Sequence, residues 1–289
     1  MLVCTRILRG GTEKAMKHIA DTTKLNNGVD MPWLGYGTFK AQGREVEEGV
    51  SYALEIGYRS IDTAAVYKNE EEVGRAIAAS GIPRSELFVT TKVWNDDQGY
   101  DTTLKAFDRS LEALKLDTVD LYLIHWPGVD KFKDTWRALE RLYEEGRTRS
   151  IGVSNFQVHH LKELMKDSGT VPVLNQVELH PRLIQKELRD FCAQHDIRME
   201  AWAPLMKGRL QDDPVIGEIA AKYGKTAAQV ILRWDLQNGI VTIPKSVTKS
   251  RIKENSEIFD FELTQDELVR ISALDAGERT GSDPDKFLF

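Results

Sequence analysis

An aspartate, a tyrosine, a lysine and a histidine stand at or just past the ends of three strand-like runs in this 289-residue chain. Tyr58-Arg-Ser-Ile61 delivers Asp62, and Tyr67 follows shortly after, before a helix-like segment opens at Asn69. Val89-Thr-Thr-Lys-Val93 carries Lys92, and Leu121-Tyr-Leu-Ile-His-Trp126 carries His125. Together the four suit proton delivery. A free phenol has a pKa of about 10, too high for efficient proton exchange near neutrality. A nearby ammonium favours the phenolate and pulls that value down. A buried lysine needs a counter-charge, which Asp62 supplies. A neutral histidine can donate a hydrogen bond to an oxygen on which negative charge is growing. Any hydride must come from a cofactor, because no side chain can give one.

The elements that would hold these residues alternate regularly. Asn26-Asn-Gly-Val-Asp30 marks the turn of a small hairpin. From Trp33 onward, strand-like runs are expected at Trp33–Gly37, Tyr58–Ile61, Leu87–Val93, Val119–Trp126, Ser150–Ser154, Val173–Leu179, Met199–Leu205 and Val241–Pro244. Helical spacing fills the gaps, as with Val46, Val50, Ala53 and Leu54, and two further helices, Arg251–Ile258 and Gln265–Leu274, end the chain. Continuous apolar strands suit a parallel sheet covered on both faces. Eight strand-helix repeats predict a (β/α)₈ TIM barrel with an N-terminal β-hairpin and extra helices near the C-terminus. An open doubly wound sheet is disfavoured because Gly35-Tyr-Gly37 lacks the third glycine of a dinucleotide fingerprint. The polar residues then gather at strand tips: Asp62, Lys92, His125, Ser154 with Asn155, Gln176 with Glu178, and Lys245 with Ser246.

Composition narrows the classes. The chain is 41% hydrophobic and 29% charged, ordinary for a globular protein, and its net charge of −6 argues against a nucleic-acid partner. No run reaches the roughly 18 apolar residues of a membrane span. Two cysteines, Cys4 and Cys192, make no disulfide framework and fit a reducing, cytoplasmic setting. Met1 to Ala20 is set aside as an N-terminal extension, non-native or disordered, leaving residues 21–289 as one barrel domain. His159-His160, His180 and His195 read as structural rather than metal ligands, and no metal is expected. Glu70-Glu-Glu72 reads as the acidic first turn of a helix.

Gly57-Tyr-Arg-Ser-Ile-Asp-Thr-Ala64, Leu123-Ile-His-Trp-Pro127, Gly152-Val-Ser-Asn-Phe156 and Ile243-Pro-Lys-Ser246 with Arg251 and Asn255 occur in the order of aldo-keto reductase signatures. The chain resembles that family over nearly all of Asp21 to Phe289, most closely its bacterial glyoxal, methylglyoxal and diketogluconate reductases. The resemblance implies an NADPH-dependent oxidoreductase acting on CH–OH groups, with Tyr67 as general acid, Lys92 lowering its pKa, Asp62 pairing with Lys92 and His125 orienting the carbonyl. It implies that Ser154, Asn155 and Gln176 hold the nicotinamide carboxamide and that Trp202 stacks on the ring. Gly37, Thr38, Phe39, Asp62, Ala203, Pro204, Leu205, Ile243, Val247 and Glu254 complete the implied cofactor contacts. Lys245, Ser246, Arg251 and Asn255 resemble a cradle for a 2′-phosphate, which favours NADPH over NADH.

Phe39, Tyr67, Trp94, His125, Trp126 and the tail from Phe287 to Phe289 would meet the substrate. The short loop after His125 suggests an open pocket for small carbonyls such as 2-oxoaldehydes. Diketogluconate or another sugar carbonyl is the alternative, and a nucleotide-binding regulatory subunit with little turnover is a third reading. The partners expected are small carbonyl compounds, with no nucleic acid and no membrane, and the protein is expected to be a monomer.

Overall fold

Ten strands and ten helices follow one another along residues 16–287, the part of the chain that the computed structural model describes. The first two strands, β1 (Thr22–Lys24) and β2 (Asp30–Pro32), pair antiparallel around the Asn27-Gly28 turn. Gly28 takes φ 86°, a backbone that only glycine adopts cheaply. Asn26 and Asn27 donate to the carbonyls of Pro172 and Arg149, just ahead of two later strands, so the hairpin sits against the N-terminal end of the barrel.

The barrel strands are β3 (Gly35–Gly37), β4 (Ser60–Asp62), β5 (Phe88–Val93), β6 (Leu121–Ile124), β7 (Ile151–Ser154), β8 (Leu174–Glu178), β9 (Arg198–Trp202) and β10 (Ile240–Thr242). Each pairs in parallel with its sequence neighbour. A bridge between Leu34 and Thr242 closes the ring, with Thr242 N donating to Trp33 O at 3.1 Å and Gly37 N to Pro244 O at 3.2 Å. The helices are α1 (Arg44–Glu55), α2 (Glu70–Ala79), α3 (Tyr100–Leu114), α4 (Phe132–Glu144), α5 (Val158–Met165), α6 (Lys186–Gln194), α7 (Pro214–Tyr223), α8 (Ala227–Gln237), α9 (Lys249–Ser256) and α10 (Gln265–Ser272). The expected eight-stranded barrel, its hairpin and its extra C-terminal helices are all present.

Burial explains the pattern. Every residue of β6 is buried, and fully burying its Leu and Ile side chains contributes roughly 1.5–3 kcal/mol each. The α1 face made by Val46, Val50, Ala53 and Leu54 is buried as its spacing predicts. Helices α2 and α3 approach closely at Gly74, where a Cβ would lie 2.3 Å from Leu114 O. Strand ends differ from expectation where backbone donors run out. The run expected to reach Leu205 stops at Trp202, because Ala203 turns left-handed (φ 49°) and Pro204 has no N–H. Of the segment set aside as an extension, Met1 to Ala15 lie outside the described residues. Met16 and Ile19 pack against the core, and Arg233 Nη1 donates to Met16 O. Among the described residues, no helix is long and apolar enough to cross a membrane.

Candidate active site

Asp62 closes β4, Lys92 lies inside β5, His125 follows β6, and Tyr67 ends the short 3₁₀ turn Ala65–Tyr67. The parallel register puts all four at the C-terminal end of the barrel, where loops can reach a ligand. Lys92 Nζ donates to Asp62 Oδ1 at 2.6 Å and to Thr63 O at 2.8 Å. An ammonium has three donors. The third is available to Tyr67, whose ring centroid lies 5.2 Å from Nζ. The Tyr67 ring stands edge-on to His125 with centroids 5.6 Å apart, and Phe39 packs on it at 5.1 Å.

The electrostatics follow from this packing. Burial raises the Tyr67 hydroxyl, Lys92 pulls it down and Asp62 pushes it up again, for a net value of about 12. The pull of Lys92 has the expected direction, but burial outweighs it in the cofactor-free protein, so the net shift is upward. Burial opposes the charge on Lys92, yet Asp62 and Tyr67 keep its pKa above the ordinary lysine value. Burial and the Lys92 charge hold His125 well below the usual imidazole range, so its ring is neutral at pH 7.

A second set of polar groups adjoins the first. Gln176 Nε2 donates to Asp62 Oδ2 at 2.8 Å and to Glu200 Oε2 at 2.7 Å. Ser154 Oγ donates to Gln176 O, and Asn155 Nδ2 donates to Ser154 Oγ and to His125 O. Asn155 is left-handed at φ 64°, which turns its side chain so that Oδ1 accepts from Trp202 Nε1 at 2.8 Å. Hydroxyl and amide groups beside one aromatic face fit a flat ring bearing a carboxamide. Gln176, with both N–H groups engaged, offers an acceptor to such an amide.

The opposite end of the candidate cleft is cationic. Lys245 is exposed along its side chain but its ammonium is partly shielded from water, which lowers its pKa, while Glu45 raises it and Lys40 lowers it again. Arg251 is exposed at the start of α9 and makes no ion pair among the described residues. Ser246 Oγ accepts from Thr248 N, and the Ser246 carbonyl accepts from the buried Tyr36 hydroxyl at 2.6 Å, which steadies the loop Ile243–Val247. Asn255 is buried, whereas the Glu254 carboxylate accepts from Thr226 Oγ1 at the start of α8. Cations short of an anion, set beside a hydroxyl, fit a phosphate. Gly37 and Thr38 line the seam, with Thr38 Oγ1 donating to Asp62 O, and the turn Ala203–Leu205 leaves β9 on the other side.

Trp94 lies 5.2 Å from His125, and Trp126 packs on Phe287 at 4.5 Å, so these substrate candidates are brought together with the tail. Leu288 and Phe289 lie outside the described residues.

Three acidic residues carry more than the sequence revealed. Burial raises the Glu178 pKa, but hydrogen bonds from His180, Thr280 and Gly281 overcome it and hold the carboxyl down at about 2. Thr280 N and Oγ1 both donate to it at 2.6 Å, which fixes the tail. Glu200 is deeply buried; only its position between the apolar Met199 and Ala201 of β9 could have marked it. Glu70–Glu72 form the acidic first turn of α2 as expected, and Glu70 itself is buried, accepting from Thr91 Oγ1 at 2.6 Å. His159, His160 and Asp285 are near enough to share an ion. However, His160 Nδ1 accepts from Gln157 N, which places the ring proton on Nε2, the atom facing Asp285.

A family model described as the aldo/keto reductase family matches residues 33–276. A glyoxal reductase of Bacillus subtilis (strain 168) is 62% identical over 272 residues, spanning 94% of this chain and 99% of the relative. Methylglyoxal reductase DkgA of Escherichia coli (strain K12) is 50% identical over 268 residues, spanning 91% and 97%. A variant of Gox0644 solved in complex with NADPH is similar at a TM-score of 0.89 and 45% identity, covering 93% of this chain and 98% of that one.

Proposed function

Because the chain belongs to the aldo/keto reductase family, we propose that it reduces small aldehydes and ketones, among them 2-oxoaldehydes such as methylglyoxal and glyoxal, to alcohols with NADPH. The observation that carries the reading is the Lys92 ammonium, shared among Asp62, Thr63 O and the Tyr67 phenol inside the barrel mouth. The relatives named as glyoxal and methylglyoxal reductases support the substrate class.

In this reading, bound NADPH supplies the hydride that no side chain can. Tyr67 acts as general acid. Its high pKa keeps the proton on the phenol at neutral pH, and Lys92 stabilises the phenolate left after the proton moves to the substrate oxygen. Neutral His125 donates a hydrogen bond to that oxygen and orients the carbonyl. Asp62 holds Lys92 charged and in place. Phe39, half exposed at the mouth, and Trp94 and the buried Trp126 wall the substrate side. Ser154, Asn155 and Gln176 bind the carboxamide and Trp202 stacks on the nicotinamide. Gly37–Phe39, Ala203–Leu205, Ile243 and Val247 flank the cofactor, with Glu254 and Asn255 beside its adenosine end. Lys245, Ser246 and Arg251 hold the 2′-phosphate.

The same reading takes residues 21–289 as the reductase unit, working as a monomer in the cytoplasm. The mass by light scattering checks the oligomeric state, and a dimer mass would overturn it. The decisive assay follows NADPH absorbance with glyoxal, methylglyoxal, simple aldehydes, diketogluconate and sugars. Consumption led by 2-oxoaldehydes is expected. Consumption led by diketogluconate or sugars would move the substrate assignment, and none with any carbonyl would reject the enzyme reading.

A further inference from the structure

Two buried carboxylates share one amide in the barrel interior. Gln176 of β8 and Glu200 of β9 are direct partners in the parallel register. The Gln176 amide nitrogen donates to both Glu200 Oε2 and Asp62 Oδ2, and Asp62 Oδ1 holds Lys92. Glu200 therefore ends a hydrogen-bonded chain that begins at Lys92, beside Tyr67, and runs through Asp62 and Gln176. Glu200 is 1% exposed, and no cation contacts it directly among the described residues.

An amide presents two N–H donors on one side and one carbonyl oxygen on the other. Here both donors face carboxyl oxygens, one of the Asp62 carboxylate and one of Glu200. Turning the amide over would set its oxygen against the Asp62 carboxylate and leave Asp62 Oδ2 and Glu200 Oε2 without their hydrogen bonds. Asp62 alone could bind one donor and leave the amide free to tilt. The second acceptor, Glu200 Oε2, removes that freedom whether or not its carboxyl is protonated.

We infer that Glu200 is a positioning residue that locks the Gln176 amide so that its carbonyl oxygen faces the nicotinamide carboxamide. The identity of that carboxamide rests on the reductase reading; the locked amide does not. Glu200 also regulates charge inside the barrel. Burial and Asp62 raise its pKa to about 8, against the opposing pull of Gln176 and the Lys92 ammonium. The groups facing it are Asp62 from β4, Lys92 from β5 and Gln176 from β8, while its β10 partner, Val241, is apolar. Near neutrality it is largely a neutral acid, so Lys92 and Asp62 balance each other. Above pH 8 it adds a second negative charge, which pushes the Tyr67 phenol further from the phenolate.

The test uses Glu200→Gln and Glu200→Leu in the full chain, with NADPH affinity read by fluorescence titration from pH 6 to 9 and melting temperature read without cofactor. Glu200→Leu should bind NADPH roughly tenfold more weakly, the scale of one lost hydrogen bond. Glu200→Gln should bind as the parent does at pH 7 but escape the weakening that the parent shows above pH 8. Without cofactor, the sign follows from the raised pKa. The stability contributed by protonated Glu200 is complete below the unfolded value near 4.5 and is lost as pH rises through about 8. The melting temperature of Glu200→Gln should therefore gain on the parent across that window and level off above it. A merely structural carboxylate would lower both melting temperatures without changing either pH profile, and that result overturns the inference. So does parent-like NADPH affinity in Glu200→Leu. A parent that binds NADPH yet reduces no carbonyl would sink the proposed function while these readouts still judge Glu200.

Discussion

Lys92 Nζ stands 2.6 Å from Asp62 Oδ1 with the lysine side chain fully shielded and the aspartate 4% exposed. A pair this dry owes its survival to its mutual charge and to the added bonds from Thr63 O and Gln176. Removing one partner strands the other. Asp62→Ala should cost about 3–5 kcal/mol, whereas Asp62→Ala with Lys92→Met should recover much of the loss. Urea unfolding of the parent, both single variants and the double variant measures the coupling. Additive losses would show that the pair is energetically independent.

Tyr67→Phe keeps the ring packed between Phe39 and His125 but removes the proton. Turnover of methylglyoxal should fall by roughly 10²-fold or more, while NADPH affinity stays near that of the parent. Steady-state kinetics beside a fluorescence titration separate the two effects. Equal turnover would remove Tyr67 from the acid role.

Arg251 is exposed and makes no ion pair among the described residues, consistent with a group kept for an anionic ligand. Arg251→Ala should weaken NADPH far more than NADH, since only NADPH carries the extra phosphate. Titrations with both nucleotides decide this, and parallel losses would mean that Arg251 does not read that group.

Gly281 lies against the Trp202 ring so closely that a Cβ would fall 2.4 Å from Cη2. Gly281→Ala must displace the tail or tilt the indole. It should change Trp fluorescence and lower NADPH affinity several-fold while leaving the melting temperature nearly unchanged. An unaltered affinity would show that Trp202 does not stack on the nicotinamide.

Glu178 supplies the pH dependence of the same tail. Its pKa is depressed to about 2, so its contribution to stability is present above the unfolded value near 4.5 and is lost as pH falls through 2. Glu178→Gln should therefore melt lower than the parent above pH 4.5, with the gap closing in acid. Melting curves from pH 2 to 7 measure this, and a constant gap would contradict it.

The barrel was legible because parallel strands covered on both faces read as unbroken apolar runs, β6 most plainly. The candidate site was legible because Asp62, Lys92 and His125 stand at or near the ends of strand-like runs. What stayed hidden needed contacts across the chain. Glu178 and Thr280 are 102 positions apart, and no local spacing points from one to the other. Glu200 sits beside Gln176 only once β8 and β9 are in register. The balance at Tyr67 was misjudged for a related reason: sequence suggests a charged neighbour, but not how completely the surroundings exclude water.

The ring is fastened along its seam by two very short strands, β3 and β10, of three residues each. Directly beyond that joint runs Ile243–Val247, the loop assigned to the phosphate, with Gly37 N clasping Pro244 O across the gap. Amide protons at Ile240–Thr242 should exchange sooner than those in the middle of β5 or β6, because fewer bonds hold the joint shut. A nucleotide gripping Lys245 from one bank and the Gly37–Phe39 turn from the other would act as a suture, slowing that breathing at its source.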